Sequence, residues 1–286
     1  MDDASFIRYL AAKKSVDDRA LNRRVWEAMS ARVASLSPRV LELGGGIGTM
    51  IERVAADAAL HPRAWTMVDA QPVLVDEARR RLTAMGRFPV ELVCADVLDF
   101  VARVKEPFDL VIASAFLDLF DPARVAARLL PLALPTGCFL FSITFDGLTA
   151  LEPVVDPDLD RRVIDLYHRT MDERVVAGKP SGDSRCGRHL LTLLPSCGYR
   201  ILEAGASDWI VHPRDGAYPA DEALFLSCIL GFFEESLSAR VDLDRSDLDR
   251  WLRVRRGQLA AGTLVLIAHH LDVCAVPASQ PPWIRV

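Results

Sequence analysis

The sequence predicts an α/β chain: a three-layer, doubly wound, mostly parallel sheet with helical insertions. Three observations predict it. Short apolar runs alternate with helix-length amphipathic segments from residue 40 to residue 204, the rhythm of right-handed βαβ units. A glycine-rich stretch, Gly44-Gly45-Gly46-Ile47-Gly48, separates the first run from the next helix. Polar residues close successive runs: Glu42, Asp69, Asp96, Ser114 and Asp146 fall at their carboxyl ends, the edge where such sheets bind ligands.

Residues 4–35 read as helical, with Phe6, Leu10, Val25 and Met29 in a loose apolar stripe. Tyr9 and Lys13 have the Y-x-x-x-K spacing of short-chain dehydrogenases, but they precede the first strand instead of following the fifth, so that reading is rejected. Strand one ends in the glycine loop. Glycine tolerates positive φ and lets a ligand press on bare backbone. The following helix, 49–59, points its free N–H groups into the same space. Strand two is 64–68, ending in Asp69, and Pro72 opens the next helix. Strand three is 90–94 and strand four 108–113. Asp121-Pro122 caps and opens a further helix. A turn at 135–137 leads to strand five, 138–145.

Beyond Gly147 the pattern changes. Residues 148–183 read as a helical lid with a polar loop, 177–183, since loops this long are seldom idle. A helix spans 184–194, ending at Pro195, and strand six spans 199–204, extended by 209–211. Two helices follow. The first, 219–237, is too apolar to be an exposed helix, so it covers the core, a pocket or a partner subunit. The second opens on Ser246-x-x-Asp249 and stops at Gly262. Strand seven is 263–269, and the tail, 277–286, is expected to be extended.

Composition bounds the function. The chain has 286 residues, 51% hydrophobic and 26% charged, with net charge −5. That is a globular composition, and an acidic balance argues against a nucleic-acid partner. Six cysteines without C-x-x-C spacing argue against a disulfide framework or a zinc site. No apolar run reaches the roughly 18–20 residues that span a bilayer, and the start is acidic with no signal-peptide core. The expectation is a cytoplasmic protein without a membrane partner.

The loop itself separates two ligand classes. A dinucleotide fold wants G-x-G-x-x-G, and the third glycine position here is Thr49. The spacing is instead acid-x-Gly-x-Gly-x-Gly, through Glu42, Gly44, Gly46 and Gly48. This closely resembles motif I of the class I S-adenosylmethionine-dependent methyltransferases, a Rossmann-like family. The resemblance covers residues 38–146 and, more loosely, 184–275. It implies a seven-stranded sheet with an antiparallel seventh strand, and S-adenosylmethionine as cofactor with S-adenosyl-L-homocysteine as product. It implies that Glu42, Gly44, Gly45, Gly46 and Gly48 back the methionine end of the cofactor. Asp69 with Ala70 would take the ribose, and Asp96 with Val97 the adenine. Ser114 and Phe116 fall where cofactor and acceptor meet. The N/D-P-P-Y/F motif of enzymes that methylate nucleobase or glutamine nitrogens is missing after strand four.

The organisation implied is an N-terminal helical segment over the cleft (1–37), a cofactor-binding core (38–147), a lid (148–183), the rest of the core with a helical insertion at 212–262 (184–276), and a tail. The expected activity is methyl transfer to a small molecule in bacterial specialised metabolism, by in-line displacement that depends on positioning. The acceptor atom is open between O, N and C. An O- or C-acceptor also needs a base; His168, His189, Asp118 and Asp146 are candidates, with His189 and Asp118 preferred. Tyr9, Asp146, Arg185 and Arg188 are candidate acceptor-binding residues. Lys179, Arg185 and Arg188 together could receive an anion. No metal set is seen, and a homodimer is one use of the apolar helix. Two rivals stand beside this expectation: a nicotinamide-dependent oxidoreductase, and a degenerate S-adenosylmethionine-binding subunit.

Overall fold

Local signals in the sequence start the helices. In the computed structural model, which describes residues 2–34, 36–83, 85–176 and 178–278, Asp2 caps α1 (Asp3–Ala20) by accepting from the Ser5 N–H at 2.8 Å. Asn22 splits the expected first helix in two: its side chain accepts from Arg24 and Val25 and starts α2 (Arg23–Val33). Asp121 caps α6 (Pro122–Leu129) and Asp156 caps α7 (Pro157–Asp172) in the same way. Asp244, not Ser246, caps α10 (Arg245–Ala260), accepting from Ser246 and Asp247.

The strands are β1 (Arg39–Leu43), β2 (Ala64–Asp69), β3 (Val90–Cys94), β4 (Phe108–Ser114), β5 (Ala133–Glu152), β8 (Tyr199–Ala206), β9 (Trp209–Val211) and β10 (Val265–Pro277). They form one eight-stranded sheet in the order β3-β2-β1-β4-β5-β10-β8, with β9 also on β10. The pairs among β3, β2, β1, β4 and β5 are parallel; β10 runs antiparallel to β5, β8 and β9. This is the doubly wound, mostly parallel sheet with an antiparallel seventh strand that the sequence predicts, β9 adding a short continuation of one edge. Helices α3 (Thr49–Ala56), α4 (Pro72–Leu82), α5 (Val97–Val101) and α8 (Cys186–Ser196) complete the crossovers. Buried clusters fill both faces: Leu41, Val111 and Phe139 on one, Val40, Leu110 and Leu140 on the other, as alternation along each strand requires.

Several boundaries differ from expectation. Residues 135–137 are not a turn before β5; the strand starts at Ala133 and absorbs them in a register shift against β4. β5 then passes through Asp146 and Gly147 to Glu152, where a helical lid was expected to begin. β10 is correspondingly long, and pairs with β5 from Val265 to Ala275. Pro195 lies inside the last turn of α8 instead of ending it. The lid region is α7 plus a two-stranded ribbon, β6 (Val175–Val176) and β7 (Lys179–Pro180). Residues 279–286 of the expected tail lie outside the described residues.

The over-long β5 and β10 carry a second core. Helices α1, α7, α9 (Glu222–Leu237) and α10 pack on this extension around Phe225, Phe233, Trp251 and Val163, all fully buried. The apolar surface of α9 packs mainly within the chain, against α1, α7 and α10, with Leu224 left exposed. A buried ion pair ties this cap together. Arg255, fully buried on α10, donates from Nη2 to Asp160 Oδ1 on α7 at 2.6 Å and from Nη1 to the Pro153 carbonyl at 2.7 Å. Trp251 Nε1 donates to the same Oδ1 at 2.5 Å, and the Val155 N–H to Oδ2 at 2.9 Å. Removing one partner of such a pair strands a buried charge. Asp160→Ala is thus expected to destabilise the protein by about 3–5 kcal/mol in denaturant unfolding, and Asp160→Asn by less.

Among the described residues no helix is long and apolar enough to cross a membrane, no three metal-ligating side chains cluster, and no cysteine is in a disulfide.

Candidate functional site

A cleft of about 570 Å³ opens at the carboxyl ends of β1, β2 and β4, between the sheet and the cap. Its first half is the glycine loop. The Gly44 and Gly45 N–H groups donate to the Val68 carbonyl at 2.9 and 3.3 Å, tying the loop to β2. Gly44 has φ +66°, and a Cβ there would fall 2.5 Å from Phe116 Cδ2. At Gly45 a Cβ would fall 2.3 Å from Met67 Cγ. The loop thus holds bare backbone against the cleft for steric reasons. Asp69 is fixed beside it, Oδ2 accepting from the Gly46 N–H and Oδ1 from the Gln71 N–H, both at 2.9 Å. A carboxylate has about four lone-pair sites, so Asp69 keeps capacity for further donors. Ala70, Asp96, Val97, Ser114 and Phe116 line the same half. Asp96 also caps α5, its Oδ1 accepting from Asp99.

Glu42 lies under the loop, 2% exposed, with Trp65 Nε1 donating to it at 3.0 Å. Burial raises its pKa to about 8, so it is mostly protonated at neutral pH. Three charged residues line this end: Lys13, named above only in the rejected Y-x-x-x-K match, and Asp17 and Arg53, which no motif marks. Lys13 Nζ pairs with Asp17 Oδ2 at 2.5 Å and lies 5.0 Å from the Trp209 ring centroid. Trp209 Nε1 donates to Asp17 Oδ1 at 3.0 Å. Arg53 pairs through Nε with Asp18, while its buried Nη2 has no hydrogen-bond partner. Arg53 follows the loop by one helical turn, and no sequence pattern marks it.

The second half of the cleft belongs to the cap. Phe6 and Tyr9 come from α1, Tyr167 from α7, Trp209 from β9 and Phe232 from α9. Tyr9 stands edge-on to Phe232 at 4.9 Å, and Tyr167 stacks on Phe233 at 4.1 Å. Asp118, on the turn after β4, faces this chamber. Its Oδ1 is buried without a partner, and burial raises its pKa to about 6 against the pull of Arg174 and Lys13. His270 on β10 is 3% exposed; its Nδ1 meets the Ala268 carbonyl at 2.9 Å. A carbonyl only accepts, so Nδ1 carries the proton and Nε2 the lone pair. Burial pulls this imidazole down to about 3, which keeps it neutral. Ile143 also lines the chamber, at φ +51°, a conformation that a β-branched residue rarely takes. The buried Asp272 holds it there, Oδ1 accepting from the Ile143 N–H at 2.7 Å and Oδ2 from the Asn22 N–H at 2.8 Å.

The structure gathers Tyr9, Glu42, Gly44, Gly45, Gly46, Asp69, Ala70, Asp96, Val97, Ser114, Phe116 and Asp118 around one cleft. It sends six expected residues elsewhere. Gly48 is the left-handed residue before α3 and faces Leu82 of α4. Asp146 lies within β5, not at its end, and is held by the Arg188 N–H at 2.6 Å and Nε at 2.9 Å. Arg185 and Arg188 are exposed outside the cleft. His189 is also exposed, Nδ1 meeting Asp183 Oδ2 at 2.6 Å, because Cys186, Leu190 and Leu194 turn the other face of α8 inward. His168 stands behind the cleft wall, 3.0 Å from Thr149 Oγ1. His189→Ala is expected to leave steady-state kinetics within about twofold, as for an ordinary surface substitution; a hundredfold loss would restore it as a base.

The comparisons follow this geometry. Residues 40–135 match the profile of a methyltransferase domain. That span holds β1 from Val40 through β4, with the glycine loop, Asp69 and Asp96. Over these residues the chain is similar to a methyltransferase domain. The sheet agrees with solved structures of the fold. A SAM-dependent methyltransferase of Thiobacillus denitrificans, in complex with S-adenosyl-L-homocysteine, is similar over 97% of this chain and 99% of its own, with TM-score 0.52 and 14% identity. A candidate methyltransferase of Bacillus halodurans is similar over 90% of this chain and all of its own, with TM-score 0.55 and 11% identity. No curated protein is significantly similar in sequence. The matched profile ends before β5 is complete, so the extended half of the sheet and α7 to α10 fall outside it.

Proposed function

We propose that this protein transfers a methyl group from S-adenosylmethionine to a small molecule held under the cap, in bacterial specialised metabolism. One observation carries the reading: the glycine loop, Asp69 and Asp96 share a single cleft with an aromatic chamber that the methyltransferase domain does not supply. The cofactor half fits S-adenosylmethionine residue by residue. Gly44 to Gly46 line the cleft with backbone and no side chains of their own. Asp69 has acceptor capacity for ribose hydroxyls, and Asp96 stands at the rim for the adenine. Arg53 Nη2 makes no hydrogen bond and lies 3.7 Å from Asp17 Oδ2, so it can also take a ligand carboxylate.

When bound, S-adenosylmethionine supplies a methyl group on a positively charged sulfur. The protein's own task is to hold the acceptor in line and keep water out. The apolar walls formed by Phe6, Tyr167, Trp209 and Phe232 do the second. Asp118 is the polar group on the acceptor side with an unfilled acceptor atom, and it serves as base or orienting partner. The test is incubation with donor carrying a deuterated methyl and a panel of phenols, amines, alcohols and carboxylates. Labelled product and S-adenosyl-L-homocysteine are expected in equal amounts. No label in any acceptor, from protein that binds the donor, would contradict the reading.

A further inference from the structure

The methyl-transfer reading leaves the acceptor open, and the chemistry of the chamber narrows it. Resting on that reading, we infer that the acceptor is a neutral aromatic ring bearing a hydroxyl, a phenol, with the hydroxyl directed at Asp118.

The walls select for a ring. Phe6, Tyr9, Tyr167, Trp209 and Phe232 approach from four different elements, and aromatic faces and edges favour another ring over a saturated body of equal size. His270 adds an imidazole 4.3 Å from the Trp209 centroid and stays neutral, so it brings no charge that would attract an ion.

The charges select the functional group. Asp118 presents a buried oxygen with no donor, and an unfilled buried acceptor is costly unless a ligand fills it. Lys13 and Arg174 face that carboxylate, and Asp17 balances Lys13. A cationic amine would sit among cations already in place. A neutral O–H fills the vacant oxygen without disturbing that balance. A phenol is favoured over an arylamine because its proton must leave. Asp118 takes the hydroxyl proton, the oxygen forms the new bond to the methyl carbon, and the electron pair of the broken sulfur–carbon bond stays on sulfur. Lys13 and Arg174 stabilise the developing phenolate.

The test uses calorimetry on the full chain saturated with S-adenosyl-L-homocysteine, titrated with 4-propylphenol, 4-propylcyclohexanol and 4-propylaniline. The phenol is expected to bind about tenfold tighter than the cyclohexanol, and tighter than the aniline. Asp118→Ala is expected to remove the preference over the aniline while S-adenosyl-L-homocysteine binds that variant as before. Equal binding of phenol and cyclohexanol, or preference for the aniline, overturns the inference and leaves methyl transfer standing. Failure of the protein to bind S-adenosyl-L-homocysteine overturns both.

Discussion

Replacing Gly44 with alanine is expected to weaken S-adenosylmethionine binding by about a hundredfold, with the fold retained by circular dichroism. Two costs arise. The residue sits at φ +66°, where a Cβ costs roughly 1–2 kcal/mol. That Cβ would also lie 2.5 Å from the Phe116 ring, which lines the cleft. The first lowers stability with or without ligand; the second falls on binding, where a hundredfold change is about 2.7 kcal/mol. Gly86→Ala is the control. It has φ +51° but nothing within 4 Å, so it carries the backbone cost alone, far from the loop. If both variants bind alike, the loop is a turn and not a cradle.

Asp118→Asn is expected to lower kcat by about a hundredfold or more, the usual size of a lost general base, with the affinity for S-adenosylmethionine unchanged. The variant keeps the shape and one acceptor atom but cannot take a proton. The pH profile supplies the sign. Burial raises the Asp118 pKa to about 6, and the carboxylate is the active form. The rate of the parent protein should fall as pH drops through about 6 and level off above it. The variant should lack that limb. Lys13 from α1, Arg174 following α7 and Asp183 face Asp118 from the elements packed on it, and Tyr9 lies close by. Among these, Asp118 is the group raised toward neutrality by burial. An unchanged kcat with a weakened KM would make Asp118 an orienting residue only.

The cofactor half of the site was legible because its chemistry is local. Glu42 to Gly46 lie within five residues, and Asp69 and Asp96 each end a short strand that composition marks. The acceptor half was legible only at Tyr9 and Asp118, because the rest is assembled from distant segments. Trp209, Tyr167 and Phe232 meet only after β5 and β10 extend past the sheet edge. Nothing in Asp146-Gly147 announces that extension; the pair reads as a turn, yet Gly147 continues the strand at φ +73° with Arg185 packed over it. The same overrun explains why Asp146 misses the cleft. The phase of α8 explains His189: three buried residues at positions 186, 190 and 194 decide which side faces water. Arg53 and Asp272 escaped notice because a buried charge carries no periodicity. Their roles follow from partners far along the chain, Asp18 and Ile143.

The decisive measurement is calorimetric titration of the purified protein with S-adenosylmethionine, S-adenosyl-L-homocysteine, NAD and NADP in parallel. Binding of the first two alone is the predicted result. Binding of a nicotinamide cofactor in their place would contradict the assignment of the glycine loop, and with it the proposed function.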